Sequence, residues 1–494
     1  MKSVFLALGL MATFIVTPAF ASMTCHQVVL ASGVFPEASE IQNSQKVSRQ
    51  LGQFFKKQSD QLAKDLKSGV TSNSYDLIII GAGPQAAAAA LSLKDSGVKV
   101  LIVDKAPLVA SNFASKEFII NSVETNDFSM HDFAYSPLKF NNFVSSKYAS
   151  SLQLAALLQA HIYFSKASVL LNSEIKFFEV DSASGRVLLK NQTGQVLSAK
   201  NVFIATGLGE ATTKIPDAGY REMYFKALAH KDALNSLQSI MNTETFMKLL
   251  NRAPKSSQKV TLPATVALIG NGDGARITVE EMLEPYVQLP KDFKISWIGN
   301  PAKTAEEYIQ SQEGWDRYID KVVPFYKKNQ IHAVTGFATQ VQQLPSGKFK
   351  ITTEDKATST TSSVEVDMII DSTGYDNAAL NLIKTTFVGS QLVDVKGDLV
   401  ERDFKDTALG KQVQTADGKN LGLYFVGPAA GPLTSKEELA RMASRAAVSI
   451  HMNIPRTSEL ALKLFDIKKG PRPNGKKEVK EPVLTAEEIL KIIL

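Results

Sequence analysis

The sequence predicts an α/β fold in which one parallel-sheet nucleotide-binding domain, split in two along the chain, carries a second such domain inserted within it. Three observations lead there. Two apolar strands each run into a glycine turn and then a helix, at 75–93 and 265–282. Two further apolar strands end in Thr-Gly, at 201–207 and 366–374. The four signals alternate, loop then Thr-Gly, twice over, so the pattern covers most of the chain rather than one turn.

In the first unit, Leu77-Ile78-Ile79-Ile80 enters Gly81-Ala82-Gly83-Pro84, and an Ala-rich helix pattern follows over 85–93. Gly81 allows the tight turn. Gly83 lets the backbone approach a pyrophosphate whose charge meets the helix N-terminus at Pro84, and Ala86 stands where a third glycine is usual. About 20 residues further, after the apolar strand at 98–103, Asp104 is placed to accept hydrogen bonds from an adenosine ribose, with Lys105 beside it.

The second unit repeats the plan. Residues 265–269 lead into Gly270-Asn271-Gly272-Asp273-Gly274-Ala275, a helix pattern runs through Ile277, Val279 and Met282, and a strand follows at 294–298. That strand ends in Trp297-Ile298-Gly299-Asn300, which offers neither the acidic residue expected for the ribose of NAD nor an Arg for a 2′-phosphate. Asp273 sets a negative charge in the phosphate loop, while Lys303 and Arg317 are candidate phosphate partners.

Taken in order, the first glycine loop, Ala205-Thr206-Gly207, the second glycine loop, Ser372-Thr373-Gly374-Tyr375 and Gly422-Leu423-Tyr424-Phe425-Val426-Gly427 resemble the two-dinucleotide-binding flavoproteins. Flavin-containing monooxygenases, amine N-hydroxylases and pyridine nucleotide-disulphide reductases belong to that superfamily. The resemblance covers 74–453. It implies an FAD-binding Rossmann-like domain of three layers, holding FAD through Gly81, Gly83, Pro84, Ala86, Asp104, Lys105, Thr206, Gly207, Thr373, Gly374, Gly427 and Pro428. It implies an inserted Rossmann-like domain holding NAD(P)H through Gly270, Gly272, Gly274 and Ala275.

The same resemblance carries the stretch 108–143 over the flavin ring, where Asn121, Ser122 and Asn126 can reach its edge or else lie in a solvated loop. A helix pattern at 433–449, which Thr434 or Ser435 can cap, would aim its positive end at the pyrimidine ring and stabilise the reduced flavin. Relatives carry an acidic residue after the position of Gly427, whereas this chain has Pro428-Ala429-Ala430-Gly431-Pro432, so FAD must rely there on backbone groups. Monooxygenase relatives also carry a Phe and His fingerprint between the first domain half and the insert. Here the segment from Phe225 to His230 matches it loosely, leaving Asn121 and His230 as the candidate catalytic residues. His230 is otherwise an exposed or capping residue.

Composition is that of an ordinary globular protein: 494 residues, 44% hydrophobic, 21% charged, net charge +6. Basic and acidic residues interleave, so nucleic acid is not implied. Lys2, the apolar run 4–16 and Ala19-Phe20-Ala21 predict a Sec-type signal peptide over 1–21, with an uncleaved membrane anchor as the alternative. A periplasmic or secreted chain then needs FAD and reduced nicotinamide where neither is abundant. Cys25 is the sole cysteine, and Ser22-Met23-Thr24 before it departs from a lipobox. No CxxC pair exists, which excludes the disulphide reductase branch.

Residues 22–73 hold an amphipathic helix in which Val47, Leu51, Phe54, Phe55, Leu62 and Leu66 recur at helical spacing. It covers the FAD domain or serves as a membrane-surface or partner contact. The expected boundaries beyond it are 74–256 and 356–455 for the FAD domain, 257–355 for the insert, and 456–494 for a basic tail with a short helix. The function expected is an FAD-dependent, NAD(P)H-reduced, monooxygenase-like oxidoreductase acting on a small molecule. The alternatives are a flavin oxidase or dehydrogenase with a degenerate nicotinamide domain, and a non-catalytic flavin-fold protein. Substrate and oligomeric state are not encoded in any motif.

Overall fold

A computed structural model describes residues 36, 38–117, 119–124, 138, 144, 146–181, 184–207, 209–230, 236–252, 259–311, 319–376, 400–404, 407–414, 420–430, 450–468, 489 and 491. The expected signal peptide, Cys25, Asn126, Arg317, the helix over 433–449 and the tail beyond 468, two positions apart, lie outside them, as do the side chains of Asn121 and Ser122.

Apolar runs bounded by turns become buried parallel strands, because a strand covered on both faces needs no polar alternation. In the first sheet the parallel order is Asn420–Phe425, Val196–Ile204, Ser74–Ile80, Val100–Val103, Ser168–Leu170. Leu77, Ile78 and Ile79 at its centre are fully buried. The chain leaves Ser74–Ile80 toward Val100–Val103 and later returns on its other side with Val196–Ile204. The carboxyl end of Ser74–Ile80 is therefore a topological switch point, where such sheets bind ligands. Antiparallel strands Val400–Phe404 and Thr407–Gln414 extend one edge, and the hairpin Ile175–Asp181 with Arg186–Asn191 joins Val196–Ile204.

Helices Pro84–Ser92, Ser151–Ser165 and Ile450–Leu464 cover one face of this sheet. Ser151–Ser165 opens with a capping box in which Ser150 and Gln153 satisfy each other's backbone N–H groups. The N-terminal helix Ala38–Ser68 wraps the remaining edge. Val47, Leu51 and Phe55 enter the core, and Leu62, Ala63 and Leu66 pack on the opposite face of the sheet. Gln58 Oε1 accepts from Val169 N at 3.1 Å and Ser59 Oγ from Leu171 N at 2.8 Å, so helix side chains close the open edge strand. Most of the apolar stripe thus packs on the domain itself, while Phe54 is 38% exposed. Among the described residues no helix is long and apolar enough to cross a membrane.

The second sheet is parallel throughout, in the order Ile240–Asn242, Met368–Asp371, Thr265–Ile269, Lys294–Ile298, Ile331–Val334. Helices Thr243–Leu250, Asp273–Met282 and Ile319–Lys327 cover one face. An antiparallel sheet of Phe337–Gln343, Phe349–Asp355 and Thr360–Val366 covers the other, together with helix Ala218–Leu228 through Tyr220 and Tyr224. The insert is therefore wider than the expected 257–355. Ile240–Asn242 and Met368–Asp371 pair within its sheet, and a three-residue strand carries too little periodicity to be read from sequence. The strands Glu210–Ala211 and Tyr375–Asp376 run antiparallel where the chain enters and leaves it.

Candidate functional site

The first glycine loop divides its duties as its residue types require. Gly81 has φ 107°, and a Cβ on it would lie 2.5 Å from the carbonyl oxygen of Ala205, so only glycine lets the two strand ends meet. Its N–H donates to Val103 O at 2.8 Å. The neighbouring strand end Ala205-Thr206-Gly207 thus forms the floor of the loop. Gly83 differs: its φ of −105° suits any residue, and among the described residues nothing lies within 4 Å of a Cβ there. That open space faces the start of helix Pro84–Ser92, which has Pro84 in its first turn and no side-chain cap. Ala86, fully buried, allows close packing where a third glycine is usual. Uncapped N–H groups before an open space are what a pyrophosphate needs, so these residues fit the phosphates of FAD.

Asp104 is occupied in a way the sequence did not announce. Oδ2 accepts from Ala82 N at 2.6 Å and Oδ1 from Ala106 N at 2.8 Å. The carboxylate braces the loop, and a ribose would have to share its remaining lone pairs. Burial pushes its pKa up, opposed by those two backbone donors and by the charge of exposed Lys105. Thr206 is exposed at the loop, and Gly207, with φ 75°, has nothing within 4 Å of a Cβ among the described residues.

Gly427 opens the short turn Gly427–Ala430 with φ 62°, and a Cβ there would meet Gln85 Cγ at 2.6 Å. Gln85, buried in the loop helix, accepts from Thr457 Oγ1 at 2.5 Å. A side chain passed over in the sequence thus couples the phosphate loop to the second half of the domain. Pro428 is buried behind Gly427. Asn121 lies on strand Ile120–Glu124. His230 is exposed in the turn after Leu228, its N–H donating to Ala227 O at 3.3 Å.

The second loop reproduces the first. Gly270 has φ 131°, and its Cβ position lies 2.5 Å from Ser372 O. Gly272 caps helix Asp273–Met282 with, among the described residues, no side-chain acceptor and nothing within 4 Å of a Cβ. A Cβ on Gly274 would meet Ser372 Oγ at 3.2 Å, and Ala275 is fully buried. Trp297, another residue without a sequence signal, donates from Nε1 to Gly270 O at 2.9 Å and fixes the turn from behind. The Asp273 side chain is exposed, and so is Lys303.

This symmetry corrects one assignment. Thr373 and Gly374 directly follow Met368–Asp371 of the second sheet, so Ser372-Thr373-Gly374 serves the second loop as Ala205-Thr206-Gly207 serves the first. They are not part of the FAD half. Asn300 is engaged internally, donating to Tyr326 Oη at 2.6 Å and accepting from Ala302 N at 2.9 Å, which leaves little to read a ribose.

Residues 75–276 match the family described as pyridine nucleotide-disulphide oxidoreductase. No curated protein matches the chain. Among solved structures, an FAD-bound cadaverine monooxygenase from Erwinia amylovora is similar at 13% identity and TM-score 0.53, over 82% of this chain and 97% of that one. L-lysine 6-monooxygenase from Pseudomonas syringae is similar at 15% identity and TM-score 0.52, over 80% of this chain and 100% of that one. An ornithine hydroxylase from Pseudomonas aeruginosa in its reduced form is similar at 14% identity and TM-score 0.50, again over 80% and 100%. With two glycine loops, each floored by its own Thr-Gly strand end, the chain shares the two-domain fold of these FAD- and NAD(P)-binding oxidoreductases.

Proposed function

We propose that this FAD-dependent oxidoreductase is reduced by NAD(P)H and acts as a monooxygenase on a small nucleophilic substrate, with amines as the first class to test. The observation that carries the reading is the duplicated loop geometry: Gly83 and Gly272 each stand at an uncapped helix start before open space. Two such sites in one chain suit a bound flavin and a nucleotide that reduces it. FAD, when bound, supplies two-electron transfer and activation of oxygen. The chain's part is to hold it: Gly83 and the first turn of Pro84–Ser92 receive the phosphates, Asp104 keeps the loop in shape, and Ala205 sets its floor.

The disulphide-reducing role found elsewhere in the matched family requires a pair of redox cysteines, and this chain has Cys25 alone. The amine monooxygenases of similar fold support an oxygenating role, and they direct the choice of test compounds. A second reading, an oxidase with a degenerate nicotinamide domain, is favoured by Asp273 in the loop and by the internal engagement of Asn300. We also propose export, with a mature protein beginning at Ser22. An intact Met1 on a cytoplasmic protein, seen by mass spectrometry, would remove that element alone.

The decisive assay supplies purified, FAD-loaded protein with NADPH or NADH, oxygen and a panel of amines, and follows nucleotide oxidation and oxygenated product together. Product formed in step with nucleotide oxidation is expected. Substrate-driven oxygen uptake without any nucleotide would replace this reading with the oxidase.

A further inference from the structure

The hinge between the two domains holds more hydrogen bonds than a two-residue ladder requires. Beside the pairing of Glu210–Ala211 with Tyr375–Asp376, Thr212 N donates to Gly374 O at 3.1 Å and Lys214 N to Thr373 Oγ1 at 2.8 Å. Asp371, 2% exposed, lies just before the departing segment. Its Oδ1 accepts from Thr373 N at 2.9 Å and Thr373 Oγ1 at 2.7 Å, and its Oδ2 accepts from Tyr220 Oη at 3.1 Å. The side chain of Thr213 also hydrogen-bonds to it.

Tyr220 is fully buried, and Asp217 anchors its helix by accepting from Tyr220 N at 3.1 Å and Val341 N at 2.9 Å. One carboxylate therefore joins the incoming segment, the first helix after it and the outgoing segment. The next residue, Ser372, presents the carbonyl that meets Gly270 in the second phosphate loop. Hinge and loop floor share one strand end.

We propose that Asp371 is a positioning residue that locks the two crossing segments and so fixes how a nucleotide on the second loop is presented to the FAD domain. The part concerning presentation rests on the NAD(P)H reading above. The lock itself does not. A carboxylate that gathers this many donors constrains direction as well as distance, because each bond sets its own angle. Rates of transfer between bound groups are sensitive to displacements of about 1 Å, which can cost on the order of 100-fold.

The test uses full-length, FAD-loaded protein as parent, Asp371→Ala, Asp371→Asn and Tyr220→Phe. Hydrogen exchange over 210–216 and 373–376 reads the lock without any nucleotide, and stopped-flow flavin reduction at saturating NADPH reads presentation. In Asp371→Ala, exchange at these segments rises by about ten-fold or more. The limiting reduction rate falls by on the order of 100-fold, with NADPH affinity and flavin content near parent values. Asp371→Asn stays near the parent in both, because its carboxamide oxygen still accepts from Thr373 and its NH2 can donate to the Tyr220 oxygen.

If Asp371→Ala does not fold, Tyr220→Phe carries the test, with exchange raised a few-fold, roughly what one lost hydrogen bond gives. Exchange at the parent level in whichever of these folds overturns the lock. An Asp371→Asn as slow as Asp371→Ala overturns positioning in favour of a role for the charge. Raised exchange in a protein that NADPH does not reduce even as parent supports the lock while removing the nicotinamide reading.

Discussion

At the scale of single residues, glycines with one motif have opposite duties, and the difference can be measured. Gly81 and Gly270 carry positive φ and face a backbone carbonyl at 2.5 Å, so Gly81→Ala should destabilise the FAD domain by roughly 2–5 kcal/mol, from backbone strain and overpacking together. Gly83→Val meets open space and should leave the apo protein's thermal unfolding near parent while removing FAD. Normal flavin content in a well-folded Gly83→Val would show that the phosphates bind elsewhere. The glycine turns and the strand ends before Thr206 and Thr373 were legible as local structure because turn and strand-end chemistry is local, while the half to which Thr373 and Gly374 belong was not. Asp104 was legible only in part: its position pointed to a ribose, whereas its shape reaches back to Ala82. Gln85, Trp297 and Asp371 could not be read, since their partners lie 372, 27 and 151 positions away.

At the scale of elements, the N-terminal helix Ala38–Ser68 has a face for which the sequence left two placements open, on the FAD domain or on a membrane or partner. Val47, Leu51 and Phe55 occupy the core, so Leu51→Ala should cost about 2–5 kcal/mol in chemical unfolding of the FAD domain. A parent-like midpoint would mean that the stripe faces something other than this domain. Helix Ser151–Ser165 carries a second consequence in His161, 1% exposed, whose burial lowers its pKa to about 3. The folded state keeps it neutral, whereas the unfolded chain takes up a proton near pH 6.5. Its contribution is thus complete above about pH 6.5 and declines on acidification toward about pH 3, by up to about 1.4 kcal/mol per pH unit. Urea midpoints at pH 7 and pH 5 should differ more for the parent than for His161→Gln. Equal shifts would show that His161 does not remain neutral in the fold.

At the scale of the whole molecule, the sequence yielded two glycine loops and their order, but it set the insert too narrowly. Long apolar strands announce themselves, whereas Ile240–Asn242 is recognisable only through its pairing with Met368–Asp371. That pairing moves Thr373 and Gly374 from the flavin half to the nucleotide insert, and it makes the molecule two copies of one device joined at the crossing of Glu210–Ala211 and Tyr375–Asp376. Division of labour between the copies is the central claim. Anaerobic stopped-flow absorbance of the FAD-loaded protein tests it most directly, with NADPH and NADH added in turn to the parent and to Gly272→Val. The parent should bleach with either nucleotide, with weak preference because Asn300 is engaged internally, while Gly272→Val should retain its FAD and fail to bleach. Bleaching at equal rates in the two proteins would contradict the account, since electrons would then enter by a route that does not pass the second loop.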